Sequence, residues 1–301
     1  MSNNSRIAAI SFLAVAALAL SACAASPAAT TAASNASVDQ KAAALLPEDV
    51  KQKGLSVGSE IPYAPMEFYD ANHKPVGFEV DLIAAIAGKL GIKISYEQQA
   101  FDTIIASLQA GKHDLAVSSM SDTLDRQKAL DFVDYFNGGA SLIVQKGNPK
   151  KVTGLSGLCG QKVAAESASW EIDVLAAASK SCTDSGKSAL ITVGLPSDVA
   201  AQTALRSGNV AAYLSDSQAA AYSAKVAGDG KYFDLVVDPE APNGYESGLI
   251  GVGILKSKPK ITAAVKAALE SLFADGTYKK LLEKWNLVSF GIDAPTVNGT
   301  K

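Results

Sequence analysis

The run Ser118-Ser119-Met120-Ser121-Asp122-Thr123-Leu124-Asp125-Arg126 gathers hydroxyl groups just ahead of a single guanidinium. It follows Asp114-Leu115-Ala116-Val117, which reads as a short buried strand, and leads into residues 125–130, which read as a helix start. A cluster so placed lies at the carboxyl end of a strand, the edge where open α/β sheets bind ligands. Serine hydroxyls, free backbone N–H groups and a helix N-terminus favour an anion, and a guanidinium fork matches a carboxylate in two parallel hydrogen bonds. The chemistry on offer is a carboxylate clamp. Taken alone, the same residues also read as turn and cap residues beside a solvated arginine. A dipolar ligand would need an anion near that fork as well, because a buried charge is tolerable only when paired. Asp216 ends the strand-like run Tyr213-Leu214-Ser215-Asp216, where an aspartate could simply cap the following helix.

Apolar patterning supplies the elements that would position these groups. Leu55-Ser56-Val57-Gly58 reads as a strand, followed by a loop over residues 59–65 stiffened by Pro62 and Pro65. A helix opens at Gly77-Phe78-Glu79-Val80-Asp81-Leu82 and stops at Gly91; residues 92–97 form the next strand. A second helix over 101–111 and a strand over 114–118 continue a βαβ order, which implies a parallel sheet with right-handed crossovers. Ser141-Leu142-Ile143-Val144 reads as a strand leaving for a second βα series: strands at 161–165, 190–193, 210–214 and 235–237, helices at 169–179 and 197–207. Residues 248–255 offer a return path, and helices over 258–274 and 278–285 pack back on the first half. Two lobes with an intervening cleft are expected: 52–143 with 250–301, and 144–249.

The chain has 301 residues, 48% of them hydrophobic, enough to bury two moderate cores. Its net charge of −3, without a block of lysine or arginine, excludes a nucleic-acid partner. Residues 1–22 read as a signal peptide: Arg6, then an apolar run from Ile7 to Leu20 that is short for a spanning helix. Leu20-Ser21-Ala22-Cys23 resembles a bacterial lipobox, which implies a lipid-bearing Cys23 and a membrane anchor outside the cytoplasm, at the cell surface or in the periplasm. An ordinary signal peptide or an uncleaved anchor remain alternatives. Residues 24–51, rich in Ala, Ser and Thr, read as a flexible tether with order beginning near Lys53. With Cys23 committed to lipid, Cys159 and Cys182 remain as a pair, bridged or as two buried thiols. A metal site is not expected, since neither cysteine has a histidine nearby.

The Asp114–Phe136 region, with Thr123-Leu124-Asp125-Arg126 and Asp131-Phe132-Val133-Asp134-Tyr135, resembles the first-lobe signature of the family-3 extracellular solute-binding proteins, the amino-acid receptors of ABC importers. Tyr63-Ala64-Pro65-Met66-Glu67-Phe68, Gly77-Phe78-Glu79-Val80-Asp81-Leu82, Leu108-Gln109-Ala110-Gly111 and Gly276-Thr277-Tyr278 through Trp285 resemble the same family in order and spacing, so the resemblance spans residues 53–287. It implies an α/β, two-lobed periplasmic-binding-protein-like fold, each lobe a mainly parallel sheet flanked by helices, joined by two hinge strands. It also implies a monomeric, cofactor-free receptor that delivers an amino acid to permease subunits. By this resemblance Arg126 takes the ligand's α-carboxylate with Ser121, Ser119 helps with the amine, and Asp216 takes the α-ammonium. Tyr63 and Phe101 line the ligand, Glu60 meets a polar or basic side chain, and Ser169 adds a donor at a helix start. Ser167 stands where relatives carry glycine, and Trp170 adds bulk at the cleft edge, leaving ligand size and identity open.

Two other classes are compatible with such a fold: an enzyme of the dehydratase kind, or a sensor for a separate membrane partner. Against the enzyme stand the two histidines, His73 and His113, both in turns that read as surface, and the lack of a recognisable carboxylate pair or activated nucleophile at the cleft positions. No spanning segment follows residue 22, which argues against a fused receptor kinase.

Overall fold

The computed structural model describes residues 29–31, 37–241 and 244–301. The leader and Cys23 lie outside the described residues. The buried apolar side chains separate into two sets of cores. Those of the first lobe draw on residues 42–136 and 250–287, and those of the second on residues 140–233, with Ala219 alone crossing over to the first.

In the first lobe the strands Ile94–Gln98, Leu55–Ser59 and Leu115–Ala116 lie parallel, in that order. The helix Phe78–Leu90 covers them and is buried almost all round, with Phe78, Leu82, Ile83 and Ile86 inside. Gly91 ends it in the left-handed region at φ 68, where a glycine carries no Cβ penalty. In the second lobe Ala212–Asp216, Lys162–Glu166 and Ile191–Leu195 are parallel neighbours. Helices Glu171–Asp184 and Asp198–Arg206 connect them, the latter capped by Ser197, whose hydroxyl accepts from the Ala200 N–H.

Two long antiparallel strands join the halves. Leu130–Gln145 pairs from Leu130 to Ala140 with Tyr245–Leu255, and its second part pairs with Ala212–Asp216. The two lobes therefore share one continuous hydrogen-bonded sheet of mixed direction. The chain returns through the helix Pro259–Ala274, whose Ile261, Val265, Ala268, Leu269 and Leu272 form a buried stripe. The helix Thr277–Trp285 follows and docks Tyr278 and Leu282 on the same core, with the Tyr278 hydroxyl 2.6 Å from the Tyr135 carbonyl.

Three expectations are corrected. The segment read as a tether up to Lys51 folds earlier: Asp39 caps the helix Gln40–Ala44, a second helix spans Glu48–Lys53, and Ala42, Leu46 and Val50 enter the first-lobe core. The three come from two short helices and the turn between them, and the surrounding alanines concealed the pattern. The helix start at 125–130 is only a 3-10 turn, Arg126–Lys128, because the hinge strand already begins at Leu130. Beyond residue 287, where no element was assigned, the strand Gly291–Val297 pairs with Val133, Asp134 and Phe136 and straps the outer side of the hinge.

Candidate functional site

The cleft-facing ends of both lobes enclose a cavity lined by Glu60, Tyr63, Phe101 and Ser118, Ser119 and Ser121 from one side. Glu166, Ser169, Trp170, Glu171, Tyr213 and Asp216 line it from the other. About 20 Å³ is open to the centre of a water molecule, so the lobes are drawn together. Contacts across the cleft account for this. Arg126 donates through Nη1 to the Ser121 carbonyl at 2.9 Å and through Nη2 to the Ala168 carbonyl of the second lobe at 3.0 Å. Its guanidinium lies 5.4 Å from the centre of the Phe101 ring, a cation–π contact that fixes its plane. Tyr63 donates to Asp216 Oδ2 at 2.9 Å, and Gln218 Nε2 donates to Ser119 Oγ at 3.1 Å.

The serine cluster is held from beneath. Ser118 Oγ accepts the Glu60 N–H and donates to Glu67 Oε1, both at 3.0 Å. Ser119 adopts φ 45, uncommon for a residue with a side chain, and this turns its N–H onto both oxygens of Glu79 at 2.9 and 3.1 Å. Tyr135 donates its hydroxyl to the same carboxylate. The backbone N–H of Ser119 is therefore committed to the lobe interior, and only its hydroxyl faces the cleft. Across the gap Ala168, at φ 63, presents its carbonyl to Arg126. Left-handed residues on both sides of the site place strained backbone where the chemistry is, a common arrangement at binding sites.

Asp216 ends the strand Ala212–Asp216 and precedes the helix Ser217–Val226, yet its side chain makes no capping bond there. Instead Oδ2 accepts from Tyr63 and Oδ1 from the Trp170 indole at 3.2 Å. Burial pushes the Asp216 carboxyl up, while these donors and Glu171 pull it down. Glu171 is held well above the usual carboxylate range by burial and then by Asp216. Both carboxyls are raised, Glu171 the further of the two. Trp170 thus holds the Asp216 carboxyl in place, beyond adding bulk at the cleft edge.

All eight residues singled out for binding lie at this cleft: Glu60, Tyr63, Phe101, Ser119, Ser121, Ser169 and Asp216 line the cavity, and Arg126 stands among them through Ser121, Ala168 and Phe101. Sequence reasoning missed Glu166 and Glu171. The signal for Glu166 was present: in Lys162-Val163-Ala164-Ala165-Glu166 a charge ends an apolar strand at the ligand edge, the logic already applied to Asp216. Glu166 faces Glu60 across the cleft; burial raises its carboxyl and Glu60 raises it further. The cleft therefore does hold a carboxylate pair, contrary to expectation. His113 is buried rather than in a surface turn, and does not line the cavity. Cys159 and Cys182 form a disulfide with Cα atoms 5.6 Å apart, which ends the alternative of two free thiols.

The chain matches the model of the bacterial extracellular solute-binding proteins, family 3, over residues 55–288. It is 29% identical over 259 residues to the arginine-binding protein ArgT of Corynebacterium glutamicum, covering 85% of this chain and 82% of that one. It is 31% identical over 243 residues to the lysine/arginine/ornithine-binding periplasmic protein of Escherichia coli, covering 80% and 89%. An ancestral arginine-binding protein bound to arginine superposes with a TM-score of 0.68 at 32% identity, over 77% of this chain and 97% of that one. All three are named for binding, none for catalysis. The fold is that of the periplasmic amino-acid-binding proteins, and the chain belongs to the family-3 bacterial extracellular solute-binding proteins.

Proposed function

We propose that this chain captures an amino acid with a cationic side chain between its lobes and hands it to the permease of an ABC importer. It works as a monomer, held outside the cytoplasmic membrane by a lipid on Cys23. The observation that carries the ligand class is the charge of the lining. Glu60, Glu166, Glu171 and Asp216 bring four carboxyl groups to the lining, against the single guanidinium of Arg126 beside it. A closed site with that excess is costly unless the ligand supplies positive charge. Arg126 takes the α-carboxylate with Ser121 and Ser169, Asp216 takes the α-ammonium, and Glu60 with Glu166 receives the distal cation. Tyr63 and Phe101 flank the ligand, and the Ser119 hydroxyl completes the amine site.

Binding and closure are one event, because Arg126 and Asp216 come from different lobes and a ligand touching both favours the closed state. The names of the relatives, for arginine or for lysine, arginine and ornithine, support the same class. The lipobox reading supports the anchor. A thermal-shift screen over the twenty amino acids and ornithine tests the proposal: a ligand at 100 times its Kd stabilises by about 2.7 kcal/mol. Arginine, lysine and ornithine are expected to shift the transition, glutamate and leucine to leave it in place. A screen led by an acidic or apolar amino acid would refute the assignment.

A further inference from the structure

Two carboxyl groups meet where the lobes close, one from each side. Glu60 leaves the strand Leu55–Ser59 of the first lobe, and Glu166 ends the strand Lys162–Glu166 of the second. Both line the cavity and are nearly shut off from solvent, at 6% and 7% exposure. Oε1 of Glu166 is buried without an N–H or O–H partner, and the group within hydrogen-bonding reach is the Glu60 carboxyl. Two carboxyl groups can share a hydrogen bond only if one carries a proton.

The other titratable groups facing the pair are acids and a phenol. Asp102 and Glu67 stand on the Glu60 side; Asp198, Glu171 and Tyr213 stand on the Glu166 side. Asp198 is itself occupied, accepting from the Tyr213 hydroxyl at 2.8 Å and from Gln202 at 2.6 Å. The acids that act most on Arg126 are others: Glu171, Asp216, Asp173 and Asp125.

We propose that Glu60 and Glu166 form a charge lock between the lobes: the cleft closes over them only when the pair receives one positive charge, brought by the ligand's side chain or by a proton. The inference rests on the amino-acid-receptor reading and adds to it the rule by which side chains are told apart. In an open cleft both groups are solvated and ionised at neutral pH. Closure over a guanidinium or ammonium leaves both ionised, with no proton exchanged. Closure over a neutral side chain takes up one proton from solvent, so affinity falls about tenfold per pH unit above the carboxylate range. Glu166 therefore turns the preference of one acid for cations into discrimination against neutral isosteres.

Calorimetry on the full chain tests this with arginine and its neutral isostere citrulline, from pH 5.5 to 8, in two buffers of different ionisation enthalpy. Arginine is expected to bind with a nearly constant Kd and no net proton uptake. Citrulline is expected to take up about one proton per site and to weaken about tenfold per pH unit. Glu166→Gln is expected to abolish the citrulline pH dependence and to shrink the arginine-to-citrulline ratio at pH 8 by at least about tenfold. Citrulline binding that is independent of pH, or an unaltered ratio in the variant, overturns the lock while leaving the receptor reading intact. So does a complete lack of citrulline binding at pH 5.5 where arginine binds, since a proton would then fail to stand in for the cation. Absence of binding by every amino acid would instead fail the receptor reading, and the lock with it.

Discussion

Replacing Arg126 separates its charge from its shape. A guanidinium has five N–H donors; the Ser121 and Ala168 carbonyls use two of them, leaving a fork free for a carboxylate. Arg126→Lys retains the charge but has three donors, so once those carbonyls are served it can offer the ligand a single bond. A hydrogen bond to a charged group contributes about 1.5–3 kcal/mol, so the lysine variant is expected to lose about one to two orders of magnitude in affinity. Arg126→Ala forfeits both bonds, about 3–6 kcal/mol, or roughly two to four orders of magnitude. Folding should suffer little, because the guanidinium bonds carbonyls at the cleft between the lobes and water can reach these partners once the cleft opens. Calorimetry with arginine gives the affinities, and thermal unfolding without ligand gives the control. Wild-type affinity in the lysine variant, or binding within about threefold of wild type in the alanine variant, would show that the carboxylate is held elsewhere.

Two further outcomes bear on the scaffold. Cys159 and Cys182 are 23 residues apart, so removing both sulfurs by Cys159→Ser/Cys182→Ser should destabilise the chain by about 3 kcal/mol from loop-closure entropy. Urea unfolding of the oxidised protein and the variant measures this, and equal midpoints would contradict it. Asp134, beneath the C-terminal strap, accepts from the Thr296 hydroxyl and the Gly299 N–H, and burial raises its pKa to about 6. A carboxyl whose folded pKa lies above its unfolded value of about 3.9 binds more protons when folded, so its contribution is lost as pH rises from about 4 through 6. The wild type minus Asp134→Asn difference in unfolding free energy should decline across that window; a flat or rising difference would refute the assignment.

The alternating βα pattern, the glycine stops and the polar residues ending apolar strands were legible in one dimension because they are local. Ser121, Arg126 and Asp216 could be named from that pattern and from family resemblance, and all reach the cleft. Two local signals were overridden or hidden. The hinge strand claimed Leu130, the last residue of what reads as a helix start, and left only the 3-10 turn Arg126–Lys128 before it, since pairing with Tyr245–Leu255 outweighs a short helical preference. The apolar residues Ala42, Leu46 and Val50 of two short helices and their turn were lost in alanine-rich surroundings until a core was there to bury them.

What only the tertiary structure decided is the sum of charges in the closed cleft. Glu60 and Glu166 are 106 positions apart in the chain, and each reads as an ordinary loop or strand-end acid until closure sets one against the other. The same holds for Glu171, whose carboxyl is raised by burial and then by Asp216. Desolvation and like-charge repulsion depend on distance and on the exclusion of water, and neither is written in the order of residues.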